Sequence, residues 1–184
     1  TVDTPNMKLL ELRAMARRMV KNHKVKIIFI DYIGLITTEN PNAPVYVGSL
    51  HPRKNLARLF TAFDLFKKKN ANDIKLVIVG NKKWWTEPIK NAYDAMTHKD
   101  DVIFVGRLSA EDLRFVTAAA LASVYVSYFE GFGIPIVEAF KCDTPVITSN
   151  VTSMPEVAAD AALLVDPFSF ESIADAMEKI LDEE

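Results

Sequence analysis

Hydrophobic and polar positions alternate along this chain in blocks of two kinds. Short apolar runs rich in β-branched residues occupy 25–30, 45–48, 74–80, 102–106, 124–128, 145–148 and 162–165, and these read as strands. Between them, apolar residues recur three and four apart, which predicts helices over 55–69, 87–96, 110–121, 135–140 and 170–181. A further helix opens the chain. Thr4 is placed to cap it, Pro5 suits its first position, and Leu9, Leu12, Met15, Ala16, Met19 and Val20 form an apolar stripe opposite Arg13, Arg17, Arg18 and Lys21. Ser109 with Asp112 resembles a capping box with the shorter acid, and Ser169 is placed to cap the last helix. The run from Val25 to Ile30 is too continuous for a half-exposed strand and suits a buried, parallel position. Strands alternating with helices mean βαβ units. The expected fold is therefore α/β: a single doubly wound, Rossmann-like, three-layer domain with a mostly parallel sheet of about seven strands.

Composition narrows the classes that this fold can serve. The chain has 184 residues, 49% of them hydrophobic and 25% charged, enough apolar surface for a sizeable core and against disorder. Cys142 is the one cysteine, which excludes an internal disulfide framework and a cysteine-rich metal site and reads as an inert buried thiol. His23, His51 and His98 show no ligand spacing, so no metal site is expected. The longest uncharged stretch, 115–129, has 15 residues, short of the ~20 that a membrane helix needs. With no signal-peptide pattern and no starting Met, the sequence reads as a trimmed, recombinant, cytoplasmic chain. A net charge of −2 argues against a dedicated nucleic-acid binder, and none is expected as a partner. The charge is uneven, however: residues 1–44 sum to +3 (seven Lys/Arg, four Asp/Glu) and 45–184 to −5 (fifteen against twenty). The sign changes at Asn40-Pro41-Asn42-Ala43-Pro44, a polar connector.

The glycines point to a ligand edge. Of only six, Gly48, Gly80 and Gly106 end predicted strands, and Gly131 and Gly133 lie in the turn before the helix opened by Pro135. Ligands of open α/β sheets sit beyond the carboxyl ends of strands, where the backbone must approach closely. The segment from Glu130 to Phe140 is a strand–turn–helix with two glycines in the turn and glutamates separated by seven residues, Glu130 and Glu138. A helix opening here presents free N–H groups and a positive dipole end suited to a pyrophosphate. The two carboxylates suit sugar hydroxyls. The combination predicts a sugar-plus-phosphate ligand.

These residues carry a family resemblance. Tyr46-Val47-Gly48-Ser49-Leu50-His51-Pro52-Arg53-Lys54-Asn55-Leu56, Val105-Gly106-Arg107-Leu108-Ser109, the Glu130–Glu138 segment, Thr144-Pro145-Val146-Ile147-Thr148-Ser149 and Met154-Pro155-Glu156-Val157 occur in order. With them, residues 45–184 resemble the C-terminal donor-binding domain of retaining glycosyltransferases of the GT-B fold. The resemblance implies that Glu130 holds donor-sugar hydroxyls and Glu138 the ribose, while Gly131, Phe132 and Gly133 offer backbone N–H groups. It further implies that Lys54 neutralises the diphosphate and that Arg107 and Leu108 lie along the base. Ser49 stands where many members have an arginine, which leaves Arg53 as the second cation. Asp143 replaces a common loop glycine, where a left-handed turn would be strained. The ligand class is a UDP-, GDP- or ADP-sugar, with no cofactor required. The acceptor half of such enzymes is a separate N-terminal domain, which residues 1–44 do not resemble, so no catalytic residue is assigned.

Residues 1–44 are similar instead to the ATPase domain of DnaB-type replicative helicases, through Thr1 to Arg13 and Val25 to Ile33 and on to Pro41. The resemblance makes Ile30-Asp31-Tyr32 the Walker B strand, with Asp31 toward Mg²⁺. No G-x-x-x-x-G-K-[ST] accompanies it, so ATPase and helicase activity are not expected. The sequence thus reads as an engineered chimera. Its expected parts are a helicase-like helix–strand fragment (1–44) built into a glycosyltransferase nucleotide-sugar domain (45–184), with at most a partial binding site. Two alternatives stand beside it: a hexosyltransferase half-domain active only with a separate acceptor domain, and ATP or nucleic-acid binding through the helicase fragment. Trp84-Trp85 read as packing, and Lys67-Lys68-Lys69 and Lys82-Lys83 as solvated helix ends and loops. No pattern fixes an oligomeric state.

Overall fold

A computed structural model of the chain describes residues 45–47, 51–70, 73–80 and 85–182. Its strands are β1 (Val45–Val47), β2 (Leu76–Val79), β3 (Val102–Gly106), β4 (Ser123–Tyr125), β5 (Val146–Ser149) and β6 (Leu163–Val165). They form one six-stranded sheet in the order β3-β2-β1-β4-β5-β6, parallel at every pairing. The expected strand at 25–30 and the helix before it lie outside the described residues, as do Ser49, Lys82, Lys83 and Trp84. The helices are α1 (Leu56–Lys69), α2 (Glu87–Asp94), α3 (Ala110–Ala119), α4 (Ile134–Lys141), α5 (Met154–Ala158) and α6 (Phe170–Asp182). Neither α5 nor the single 3₁₀ turns Pro52–Lys54 and Lys99–Asp101 emerge from the hydrophobic pattern. Three to five residues hold too few repeats for a helical period to show.

Alternate residues of the strands face opposite layers. Tyr46, Leu76, Ile78, Val124, Val126 and Ile147 pack with Phe60, Phe63, Ile89, Ile173 and Met177, so α1, α2 and α6 cover one face. Val45, Val77 and Val79 meet Leu113 and Val116 of α3, while Tyr125 and Val146 meet Ile136 of α4 and Met154 of α5 on the other. The predicted three-layer α/β domain is the one found. Phe60, Trp85, Tyr93 and Phe104 pack edge to face or tilted with centroids 5.5–6.3 Å apart, so Trp85 is a packing residue, as expected. Backbone N–H groups of Asp112 and Ser172 donate to Ser109 Oγ and Ser169 Oγ, each at 3.1 Å, as the caps predicted. Cys142 is buried.

Lys67 departs from the expectation of a solvated helix end. It lies in the row Phe60, Phe63, Asp64, Lys67, spaced i, i+3, i+4, i+7, and is buried with the aromatic rings. Its ammonium sits 2.9 Å from Asp101 Oδ2 and donates to the carbonyl of Ile74 at 3.2 Å. Lys68 and Lys69 remain at the surface, paired with Asp64 at 2.7 Å and with Asp175 and Glu178 at 3.0 Å.

Candidate functional site

Chain order reverses between β1 and β4, neighbours in the sheet that lead to helices on opposite faces. Their following loops therefore part at the carboxyl edge and leave a crevice, the place where open α/β sheets receive ligands. The loop after β1 carries Arg53 and Lys54 in a 3₁₀ turn, with His51 Nδ1 accepting from the N–H of Arg53 at 3.2 Å. The loop after β4 carries Glu130. Lys54 Nζ reaches across to Glu130 Oε1 at 2.6 Å, and Arg53 approaches the same oxygen at 3.4 Å. Thus Arg53 does bring a second cation to the site.

Lys54 is buried. Its ammonium donates to Tyr125 Oη at 2.5 Å and lies 4.5 Å from the centre of that ring. Burial pulls the Lys54 ammonium below the usual lysine range, against the hydrogen bond to Glu130 that favours its charge. For Glu130 burial is again the largest influence and acts upward, but the hydrogen bond from Lys54 and its positive charge lead the influences that outweigh it and hold the carboxyl below its usual range. Burial, then the charge of Glu130, pushes the Tyr125 phenol far above its usual range, so it stays protonated at neutral pH. Tyr46 is raised in the same way.

Two further loops fix this cluster. Asn55, in the left-handed region at φ 63°, donates both Nδ2 hydrogens, to Val126 O at 3.0 Å and Pro167 O at 2.7 Å. It thereby ties the loops after β1, β4 and β6 together. Ser153, at the start of α5, donates to the carbonyls of Glu130 and Phe132, both at 3.0 Å. Gly133 opens α4 at φ 105°, and a Cβ there would meet Ile136 Cδ1 at 3.1 Å. On the outer flank Arg58 donates Nε–H to Phe168 O at 3.2 Å and a second N–H to Tyr128 Oη. Tyr128 and Phe168 stack at 5.1 Å beside it.

The predicted residues thus divide. Arg53, Lys54 and Glu130 converge, and Gly131, Phe132 and Gly133 form the turn from Glu130 into α4. Phe132 is exposed, as are Phe129 and Ile134 around it. Glu138 is exposed on α4, and Arg107 and Leu108 follow β3 at the sheet's edge, Leu108 packed on the cluster formed by Val45, Val77 and Val79. No hydrogen bond or ion pair among the described residues joins these three to the Lys54–Glu130 pair. Among the described residues no group of three or more His, Cys, Asp or Glu is placed to hold a metal, and no helix is long and apolar enough to cross a membrane. Tyr125, Asn55 and Ser153 escape the sequence reading, since a tyrosine in a strand and a serine in a turn also serve ordinary packing.

Comparison with known proteins agrees with this geometry. The family model described as glycosyl transferases group 1 matches residues 35–184. The chain belongs to that family. The O-antigen chain mannosyltransferase B of Escherichia coli is 37% identical over 130 residues, which cover 71% of this chain and 34% of that protein. HepE from Anabaena, solved in complex with UDP and glucose, shares the fold with a TM-score of 0.68 at 19% identity, over 78% of this chain and 40% of that one. The chain therefore spans about a third to two fifths of the length of these relatives. A second model, the DnaB-like helicase C terminal domain, matches residues 1–58. The replicative helicase DnaB of Treponema pallidum is 62% identical over 45 residues, 24% of this chain and 10% of that protein. The group 1 transferase domain thus carries a helicase-like N-terminal stretch, and the two matches overlap at 35–58, through β1 and its loop.

Proposed function

We propose that residues 45–184 hold the nucleotide-diphosphate-sugar half of a glycosyltransferase site, and that the chain is a recombined chimera whose 184 residues supply one wall of a catalytic cleft. The observation that carries the reading is the Lys54–Glu130 pair, 2.6 Å across the two loops of the switch point, with Arg53 beside it. A cation on one lip and a hydroxyl-binding carboxylate on the other match a ligand that is phosphate at one end and sugar at the other. In this reading Lys54 and Arg53 turn to the diphosphate. Glu130 passes to the sugar hydroxyls. The N–H groups from Gly131 to Gly133, at the positive end of α4, face the phosphates. Glu138 takes the ribose, and Arg107 and Leu108 flank the base. The mannosyltransferase relative and the UDP complex of HepE support the ligand class, a UDP-, GDP- or ADP-sugar. The helicase match, confined to residues 1–58, supports the chimera with 1–44 as its foreign part.

One wall does not preorganise a transition state, because the groups around the reacting carbon must be held from both sides. The 184-residue chain is therefore expected to bind a donor nucleotide without turning it over. A thermal-shift titration with UDP, GDP and ADP tests this. A ligand at ~100 times its Kd adds about 2.7 kcal/mol, several degrees in a domain of this size. The shift is expected for one base above the others, and to vanish in Lys54→Ala and Glu138→Ala. A cooperative melt that no nucleotide moves defeats the reading. The length of the relatives favours a second reading, in which the same half-site serves a hexosyltransferase once an acceptor domain joins it. Transfer of the sugar from a sugar nucleotide to an acceptor hydroxyl, with release of the nucleoside diphosphate, by this chain plus such a domain would establish it. Salt-dependent DNA binding would instead support a role for the helicase stretch.

A further inference from the structure

The geometry points to Tyr125 as the positioning residue of the site: its phenol anchors Lys54, and Glu130 is the exchangeable partner. The inference rests on the donor half-site proposed above. Lys54 has two oxygen partners, and they differ in kind. Tyr125 is a strand residue, 2% exposed, with its ring packed on Ile136 and Met154 and nowhere to move. Glu130 sits on a loop rather than in the sheet: its carbonyl accepts from Ser153, and its carboxylate is held by the two cations it pairs with, Lys54 and Arg53. When phosphate and sugar arrive, Glu130 must leave the ammonium to reach hydroxyls. A lysine with four rotatable bonds and no other partner would then be free to follow it. The hydroxyl at 2.5 Å and the ring face at 4.5 Å keep the ammonium over β4, aimed into the crevice, while the second partner changes. The hydroxyl is suited to this because it stays neutral: burial and the nearby carboxylate both oppose its ionisation. It therefore fixes position without competing as an anion for the cation that phosphate needs.

Tyr125→Phe tests the inference, since it keeps the ring and deletes one oxygen. Two readouts separate it from the function on which it rests. The first is nucleoside diphosphate affinity by calorimetry with UDP, GDP and ADP. Loss of a hydrogen bond to a charged group is expected to weaken the best binder by at least about fivefold. The second needs no nucleotide. The Lys54 side chain, followed by NMR through ¹³C-labelled lysine across pH, is expected to titrate lower in Tyr125→Phe than in the parent, because its charged form has lost a hydrogen-bond acceptor. Thermal melts of both proteins confirm that the variant is folded, and Tyr125→Trp, which offers a ring without an acceptor, is expected to repeat both effects. Unchanged Lys54 titration overturns the inference whatever the calorimetry shows. If the parent binds no nucleotide yet Lys54 shifts, the donor reading fails while the anchoring stands. If nucleotides bind parent and variant alike, the positioning role is refuted while the donor reading survives.

Discussion

Asn55 shows how much one side chain can hold. It is 1% exposed, sits in the left-handed region at φ 63°, and bridges the carbonyls of Val126 and Pro167. Asparagine tolerates that backbone better than most residues, and its amide supplies two donors in one plane. Two variants separate the contributions. Asn55→Gly keeps the backbone easy but leaves two buried carbonyls unpaired, at a cost of about 2 kcal/mol. Asn55→Ala loses the same bonds and adds left-handed strain, about 1 kcal/mol more. Urea unfolding of the three proteins measures both steps, and equal losses in the two variants would show that the strain is absent. Asp143 also has a positive φ, 50°, at the position where the resemblance implies a common loop glycine, so the left-handed turn expected there is present.

At the scale of the element, the opening of α4 decides how the glutamate loop meets a ligand. Gly131 and Gly133 look equivalent in the sequence but are not. Gly133 lies at φ 105° with Ile136 Cδ1 3.1 Å from any added Cβ, whereas a Cβ on Gly131 meets nothing within 4 Å. Gly133→Ala is therefore expected to cost about 1–2 kcal/mol through backbone strain, and Gly131→Ala to stay within ~0.5 kcal/mol of the parent. Paired thermal melts check the contrast. If the Gly131 N–H also approaches phosphate, Gly131→Ala lowers nucleotide affinity while leaving the melt in place. The contrast also marks what the sequence could tell. Strands such as 102–106 and helices such as 170–181 are legible because their periods run over several residues, and the turn into α4 is legible because its signal, two glycines and Pro135, is local. Lys67 was legible in principle, since its place on the row from Phe60 marks the buried stripe of α1. Tyr125 and Asn55 were not. Their roles depend on which loops the sheet order makes neighbours, and β1 and β4 are joined only after three strands have been laid.

At the scale of the molecule, carboxylates that are buried or half-buried tie both ends of the sheet and make its stability sensitive to acid. Near the amino ends of β2 and β3, Asp101 joins Lys67 of α1 to Lys75. Asp64 of α1 accepts from the backbone N–H of His98 at 2.8 Å and pairs with Lys68. At the carboxyl edge Glu130 pairs with Lys54. For all three, burial is the largest single influence and pushes upward, and the hydrogen bonds and cations outweigh it, so each carboxyl is held below its ordinary value. The sign follows. A folded-state value below the unfolded one means that the unfolded chain binds protons first as pH falls. The stabilisation is complete above the unfolded carboxylate range, about pH 4 to 5, and is lost progressively below it. The melting temperature is expected to be level from pH 7 to about 5 and then to fall, with Asp101→Asn starting lower and falling less. A curve that stays level to pH 3 in the parent would show that these pairs contribute nothing. The three acids and their partners lie between Lys54 and His98 or at Asp101 and Glu130, so this part of the acid response is built within the transferase domain itself.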